Sequence, residues 1–166
     1  AIQGNPSGAN GIGRCYYNAR GVIRRPRYAY NWFLLSAKNG CPEGMNNVGK
    51  CLEEGFGVIV PHKKKAIKYY KSAADLGHVS AQYNVGVHYF FGNGVKENVD
   101  EGLKWIRIAA HNGSASAQYT LGNIYSQGLK GVKVDMDVAL HWYNKVMENS
   151  DEYIKSKTEQ ILLSLP

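Results

Sequence analysis

Four apolar-glycine pairs, Ile12-Gly13, Val48-Gly49, Val85-Gly86 and Leu121-Gly122, recur along the chain at separations of 36, 37 and 36 residues. A fixed period of this length marks a chain that stacks one small supersecondary unit on the next. Each pair sits in a segment of common pattern: GANGIGRCYYNARGV (8–22), GMNNVGKCLEEGFGV (44–58), AQYNVGVHYFFGNGV (81–95) and AQYTLGNIYSQGLKGV (117–132). A small residue opens each, the pair follows four and five positions later, and an aromatic residue or Leu comes next.

A second block follows each segment: AYNWFLLSAKNG ending at Gly40, AIKYYKSAADLG at Gly77, GLKWIRIAAHNG at Gly113 and ALHWYNKVMENS at Ser150. Its apolar positions recur at i, i+3, i+4 and i+7, the helical period. Each unit therefore reads as helix A, a glycine-containing loop, helix B and a tight turn. The units span about 5–40, 41–77, 78–113 and 114–150 in a single domain.

Glycine inside a helix costs about 1 kcal/mol against Ala, so four in register imply a neighbouring helix packed where a Cβ would clash. Ser36-Ala37, Ala73-Ala74 and Ala109-Ala110 are small for the same reason. The Asn-Gly and Leu-Gly endings supply the left-handed residue that terminates helix B. Tyr16, Tyr89 and Tyr125 in helix A, with Trp32, Tyr69 and Trp142 in helix B, are expected to fill the interfaces, which accounts for the 12 tyrosines. Each buried aromatic is worth roughly 1.5 to 3 kcal/mol, enough to outweigh the glycine cost. One helix pair cannot bury its own apolar faces, whereas four stacked pairs share a continuous core.

The period, with A-x-x-x-L-G-x-x-Y, G-x-G-V, A-x-x-W-Y and A-A-x-x-G, resembles the Sel-one-like repeat (SLR) family, relatives of the tetratricopeptide repeat. The resemblance covers about residues 7–150. It implies an all-α, right-handed α/α superhelix (solenoid) of about four helix-turn-helix repeats plus a C-terminal capping helix. It also implies a non-enzymatic adaptor or scaffold that binds other proteins. Gly8 and Gly44 stand in place of Ala, and Val146-Met147 in place of the small pair, so the last helix B is expected to meet an atypical element. Residues 151–166 supply one: an acidic start suits a helix N-terminus, and Ile154, Ile161, Leu162 and Leu165 share roughly one face. The other end has no such cap and no initiating Met, which points to a fragment or processed chain.

If the stack resembles tetratricopeptide arrays, helix A lines a concave groove, and register picks out the residues facing it. These are Asn10, Arg14, Tyr17 and Asn18, then Asn46, Lys50, Glu53 and Glu54. The third repeat offers Tyr83, Val87, Phe90 and Phe91, and the fourth Tyr119, Asn123, Ser126 and Gln127. Phe90-Phe91 replaces Tyr17-Asn18, Glu53-Glu54 and Ser126-Gln127, and an apolar patch among polar groups is the usual form of an interaction hot spot. The expectation is a partner peptide or helix docked there; the alternative is one Phe folded back onto the loop at Gly92-Asn93-Gly94.

Charge marks a second surface. Residues 1–83 hold 12 Lys/Arg against 4 Asp/Glu, whereas residues 84–166 hold 8 against 9. Arg24, Arg25 and Arg27 in the first A–B loop and Lys63, Lys64 and Lys65 in the second are expected to align on one edge. Such an edge suits an acidic protein, RNA phosphate or an anionic membrane surface, or is simply a solvated rim. It would equally dock a structural subunit into a larger, ribonucleoprotein-like assembly.

Signatures of chemistry are sparse. There is no phosphate-loop, zinc-protease or serine-hydrolase motif, and GANGIG has the order G-x-x-G-x-G rather than that of a dinucleotide loop. No catalytic residue, cofactor or metal is expected. His88 occupies the inward position filled by Cys15, Cys51 and Ile124 elsewhere. It reads as a core histidine with a satisfied hydrogen bond, or as half of a Cys51/His88 site between repeats. An odd count of three cysteines, Cys15, Cys41 and Cys51, favours a reduced intracellular compartment. Asn112-Gly113-Ser114 fits a glycosylation sequon or is a turn. No apolar run approaches the roughly 20 residues of a membrane-spanning helix.

Overall fold

The pattern of alternating apolar faces and glycine punctuation is realised as helices of nearly uniform length. The computed structural model describes residues 5–149 and 151–164. Among these residues helix A of successive repeats is α1 (Pro6–Asn18), α3 (Pro42–Glu54), α5 (Val79–Phe91) and α7 (Ala115–Gln127). Helix B is α2 (Pro26–Lys38), α4 (Lys63–Asp75), α6 (Val99–His111) and α8 (Met136–Asn149), and α9 (Glu152–Ser164) follows. A short 3-10 turn, Leu129–Gly131, lies between α7 and α8. Each helix packs on the next in sequence, and α9 reaches both α8 and α7, giving an all-α repeat solenoid. Leu165, assigned to the cap's apolar face from sequence, lies outside the described residues, as does Ser150.

Helix boundaries follow from local chemistry. Pro at the first turn starts α1, α2 and α3, where a missing N–H costs nothing. Side-chain oxygens of Asn98 and Ser114 accept the Glu101 and Ala117 amides and cap α6 and α7. The B-helix turns end in left-handed Gly40, Gly77 and Gly113, as their position predicts. Asn112-Gly113-Ser114 is therefore the α6–α7 turn, and within the third repeat the Asn112 amide donates back to Gln82 of α5 at 2.9 Å.

The in-register glycines are where the B-helix side chains rest. A Cβ built on Gly13 would lie 2.6 Å from the Phe33 ring, and one on Gly49 would lie 2.5 Å from the Tyr70 ring. On Gly86 it would meet Ile106, including its backbone nitrogen at 2.8 Å, and on Gly122 the Tyr143 ring. The interlocking residue in helix B is thus Phe33, Tyr70, Ile106 or Tyr143. Each lies one position beyond Trp32, Tyr69, Trp105 and Trp142, the more conspicuous aromatics. Trp142 is buried as well, but Trp32 and Tyr69 are only half-buried, because adjacent residues on a helix point about 100° apart.

The cap has a more specific identity than an amphipathic tail. Its Thr158 stands 37 residues after Leu121 and is as fully buried as Val48, Val85 and Leu121 at the same register. Its hydroxyl donates to the Ile154 carbonyl at 2.8 Å, so the polar atom is satisfied inside the helix. Helix α9 therefore takes the place of a fifth helix A, with Glu159 where the others carry glycine. Val146, fully buried, is where the small B-helix pair gives way to a larger contact.

Candidate functional site

Polar side chains one repeat apart join the A-helices. Asn47 donates to Asn10 at 2.8 Å, Asn84 to Asn46 at 3.2 Å and the Tyr17 hydroxyl to Glu54 at 3.0 Å, while Tyr83 and Thr120 hydroxyls lie 3.1 Å apart. Asn10 and Asn46 are consequently buried and belong to the scaffold rather than to an open surface. What remains accessible is the ridge formed by Arg14, Asn18, Lys50, Glu54, Phe91 and Gln127.

The sequence-predicted residues divide accordingly. Arg14 and Lys50, exposed and one repeat apart, meet at a hollow of about 200 Å³ with Tyr17, Asn47 and Phe33. Tyr83 and Tyr119 meet at a second hollow of about 240 Å³, whose other wall is Tyr153, Ile154 and Lys157 of α9. The tail was expected only to cap the stack; it also closes this hollow. Val87 is half-buried, and the half-buried Asn123 accepts the Tyr143 hydroxyl at 2.7 Å.

Phe90 must be corrected. It is 0% exposed, in the core with Ile106 and Leu121, because α6 approaches at Gly102, where an added Cβ would lie 2.6 Å from the Phe90 backbone nitrogen. It folds neither into a groove nor onto the loop. Phe91 carries the surface half of the expected pair: it is 42% exposed and meets the Phe90 ring edge-on at 5.0 Å.

His88 is a satisfied core histidine. Its Nδ1–H donates to the Asn93 carbonyl at 2.7 Å, and Nε2 lies 3.2 Å from the Glu53 carboxylate, which also accepts the Tyr70 hydroxyl at 2.7 Å. Burial works against the charged ring, but the bonds to Glu53 and Asn93 outweigh it and raise its pKa. The His88 bond, followed by the Tyr70 bond, prevails over burial to hold Glu53 below the usual carboxylate range. Both ring nitrogens are engaged, so neither is left for a Cys51/His88 site. Burial pushes the Cys51 thiol up to about 12, the behaviour of a small core residue. Cys15, Cys41 and Cys51 are unpaired, and among the described residues no three His, Cys, Asp or Glu side chains gather as a metal site. No helix there is long and apolar enough to cross a membrane.

Of the six basic residues expected in the A–B loops, four lie in helices instead. Arg27 lies in the first turn of α2, and Lys63, Lys64 and Lys65 form the first turn of α4. Arg24 stacks over Phe56 at 4.9 Å and Arg25 over Tyr28 at 5.3 Å. Arg27 and Lys65 flank a cleft of about 950 Å³ between α2 and the α3–α4 loop, with Tyr30, Leu52, Val58 and Ile59 along it. Sequence reasoning missed this cleft. The readable signal was the loop register, Gly21-Val22-Ile23 and Gly57-Val58-Ile59 against Gly94-Val95-Lys96 and Gly131-Val132-Lys133.

Comparison with known proteins matches residues 6–41, 42–78, 79–114 and 115–146 to the Sel1 repeat. Chitin synthase regulatory factor 2 of Schizosaccharomyces pombe is 36% identical over 83 residues, covering 50% of this chain and 16% of that protein. The ERAD-associated E3 ubiquitin-protein ligase component HRD3B of Arabidopsis thaliana is 34% identical over 100 residues, covering 60% of this chain and 15% of that protein. The chain thus spans about one-sixth of these curated relatives. Among solved structures, a Sel1 repeat protein from Oxalobacter formigenes superposes with TM-score 0.86 at 28% identity, over 95% of this chain and 63% of that one. A protective antigen of uropathogenic Escherichia coli with an SLR fold gives TM-score 0.86 at 26% identity, over 98% and 35%.

Proposed function

The chain belongs to the Sel1 repeat family, whose members generally mediate protein–protein interaction and are typically regulatory or adaptor-like, and from that premise we propose that it holds a peptide or helix of a partner protein along the exposed ridge of its A-helices. The observation that carries the reading is the ridge itself. Arg14, Lys50 and Phe91 stay exposed on successive A-helices, while the neighbouring Asn10 and Asn46 are consumed in scaffold bonds. A cationic pair beside one accessible aromatic can hold an acidic or polar segment at one end and anchor an apolar side chain at the other. The ladder of A-helix bonds keeps that spacing fixed before a partner arrives, which lowers the ordering cost of binding.

The chain's likeness to a regulatory factor and to a ligase component fits a part that recruits rather than transforms. Selection of a random-peptide display library on the chain tests this. A class of the recovered peptides should bind Phe91→Ala at least tenfold more weakly, about 1.4 kcal/mol, and Arg14→Glu/Lys50→Glu by a comparable margin. A selection that yields no peptide sensitive to these substitutions would contradict the reading.

A further inference from the structure

The two amino-terminal repeats break a rule that the later two keep. In all four A–B loops a glycine of positive φ, Gly21, Gly57, Gly94 or Gly131, is followed by Val. The next residue is Lys96 in the third repeat and Lys133 in the fourth, as an outward loop position should be. In the first two it is isoleucine: Ile23 is 77% exposed and Ile59 is 100% exposed. Val60, where the third repeat has Glu97, is 67% exposed. Exposed to this degree among the described residues, these side chains add little buried apolar surface to the fold. The loop is held by its glycine instead, since a Cβ on Gly57 would run into the Pro26 carbonyl.

Charge is misplaced in the same two repeats. α6 begins with Asp100 and Glu101, and α8 with Asp137, signs that suit the positive end of a helix dipole. α2 and α4 have no acidic residue in the first turn, and α4 opens with Lys63, Lys64 and Lys65. Three cations at a helix N-terminus oppose the dipole and repel one another. Exposed Ile59 and Val60 thus lie with Lys65 of the α4 cluster and Arg27 of α2 in the lining of the cleft of about 950 Å³, which contains no carboxylate.

We infer that this cleft is a second docking surface, independent of the A-helix ridge, for an acidic protein segment carrying aliphatic or aromatic anchors. Its volume is that of a recognition pocket, and Tyr30, Leu52 and Val58 give it an apolar lining for an inserted side chain. Arg27 and Lys65 flank that lining and complement carboxylates on either side of the anchor. An apolar lining with exposed isoleucines favours a peptide over a phosphate backbone.

The test uses the substitution the protein already makes in its third repeat, Ile59→Lys/Val60→Glu, which keeps net charge and a loop sequence compatible with the fold. A random dodecapeptide display library is selected on the unaltered chain and counter-selected on this variant. The recovered peptides should be rich in Asp and Glu around one or two apolar residues. They should bind the variant and Arg27→Gln/Lys65→Gln at least fivefold more weakly, and bind Phe91→Ala normally. No discriminating peptides, or peptides that are basic or lack acids, would overturn the inference. So would co-sedimentation of the unaltered chain, but not the variant, with phosphatidylserine vesicles or a single-stranded RNA homopolymer while no peptide discriminates.

Discussion

Ala19 ends α1 in the left-handed conformation, φ 56°, where α3, α5 and α7 end in Gly55, Gly92 and Gly128. A Cβ there meets the following carbonyl, at a cost of roughly 1 to 2 kcal/mol. Ala19→Gly is therefore expected to stabilise the chain by about 1 kcal/mol, read as a higher thermal midpoint. His88 makes a pH-dependent contribution with a definite sign. Its pKa is raised on folding, so its stabilisation is complete below the ordinary value of 6.5 and is lost as pH rises through the folded value. Glu53 is lowered, so its share is present above 4.5 and lost as pH falls through its own folded value. Lys63 opposes the His88 charge, and Tyr70 bonds the same carboxylate. The pair should contribute most between about pH 4.5 and 6.5, with roughly 1 kcal/mol lost at higher pH, a modest figure because Glu53 is one-third exposed. His88→Gln should flatten the stability profile between pH 6 and 9 in urea titrations; an unchanged slope would show that the pair contributes no such term.

Between helices, the glycine seats explain how repeats of different sequence keep one spacing. Gly86 faces the Ile106 backbone, so Gly86→Ala cannot be absorbed by a side-chain rotation and is expected to cost about 1 to 3 kcal/mol. Gly11, in the same kind of helix, has nothing within 4 Å of an added Cβ, and Gly11→Ala should gain up to about 1 kcal/mol. Denaturant midpoints for the two variants must move in opposite directions. The seats were readable in the sequence because glycine at a constant period inside a helical pattern has few other causes. Which side chain fills each seat was not, because Trp32 and Phe33, or Tyr69 and Tyr70, differ only by a rotation that packing decides. The same rotation sends Phe90 inward and Phe91 outward.

At the scale of the molecule, four repeats and α9 form one stack. The repeat architecture was legible because period is a property of the whole chain and survives local substitutions. The position of α9 as a fifth helix A was partly hidden, because Thr158 and Glu159 stand where an apolar-glycine pair would have announced it. The loop cleft was hidden too, since an isolated Ile in sequence carries no sign of being left exposed until the loops are compared position by position.

On the reading proposed above, a partner segment lies along the A-helix ridge. This is tested most directly by amide chemical-shift mapping on the 18.4 kDa chain with the loop cleft disabled by Ile59→Lys/Val60→Glu, using a peptide selected on that variant. Shifts are expected to run through α1, α3 and α5 and to centre on Arg14, Lys50 and Phe91. Shifts confined to the B-helices, or to the B-helix turns at Gly40, Gly77 and Gly113, would contradict it.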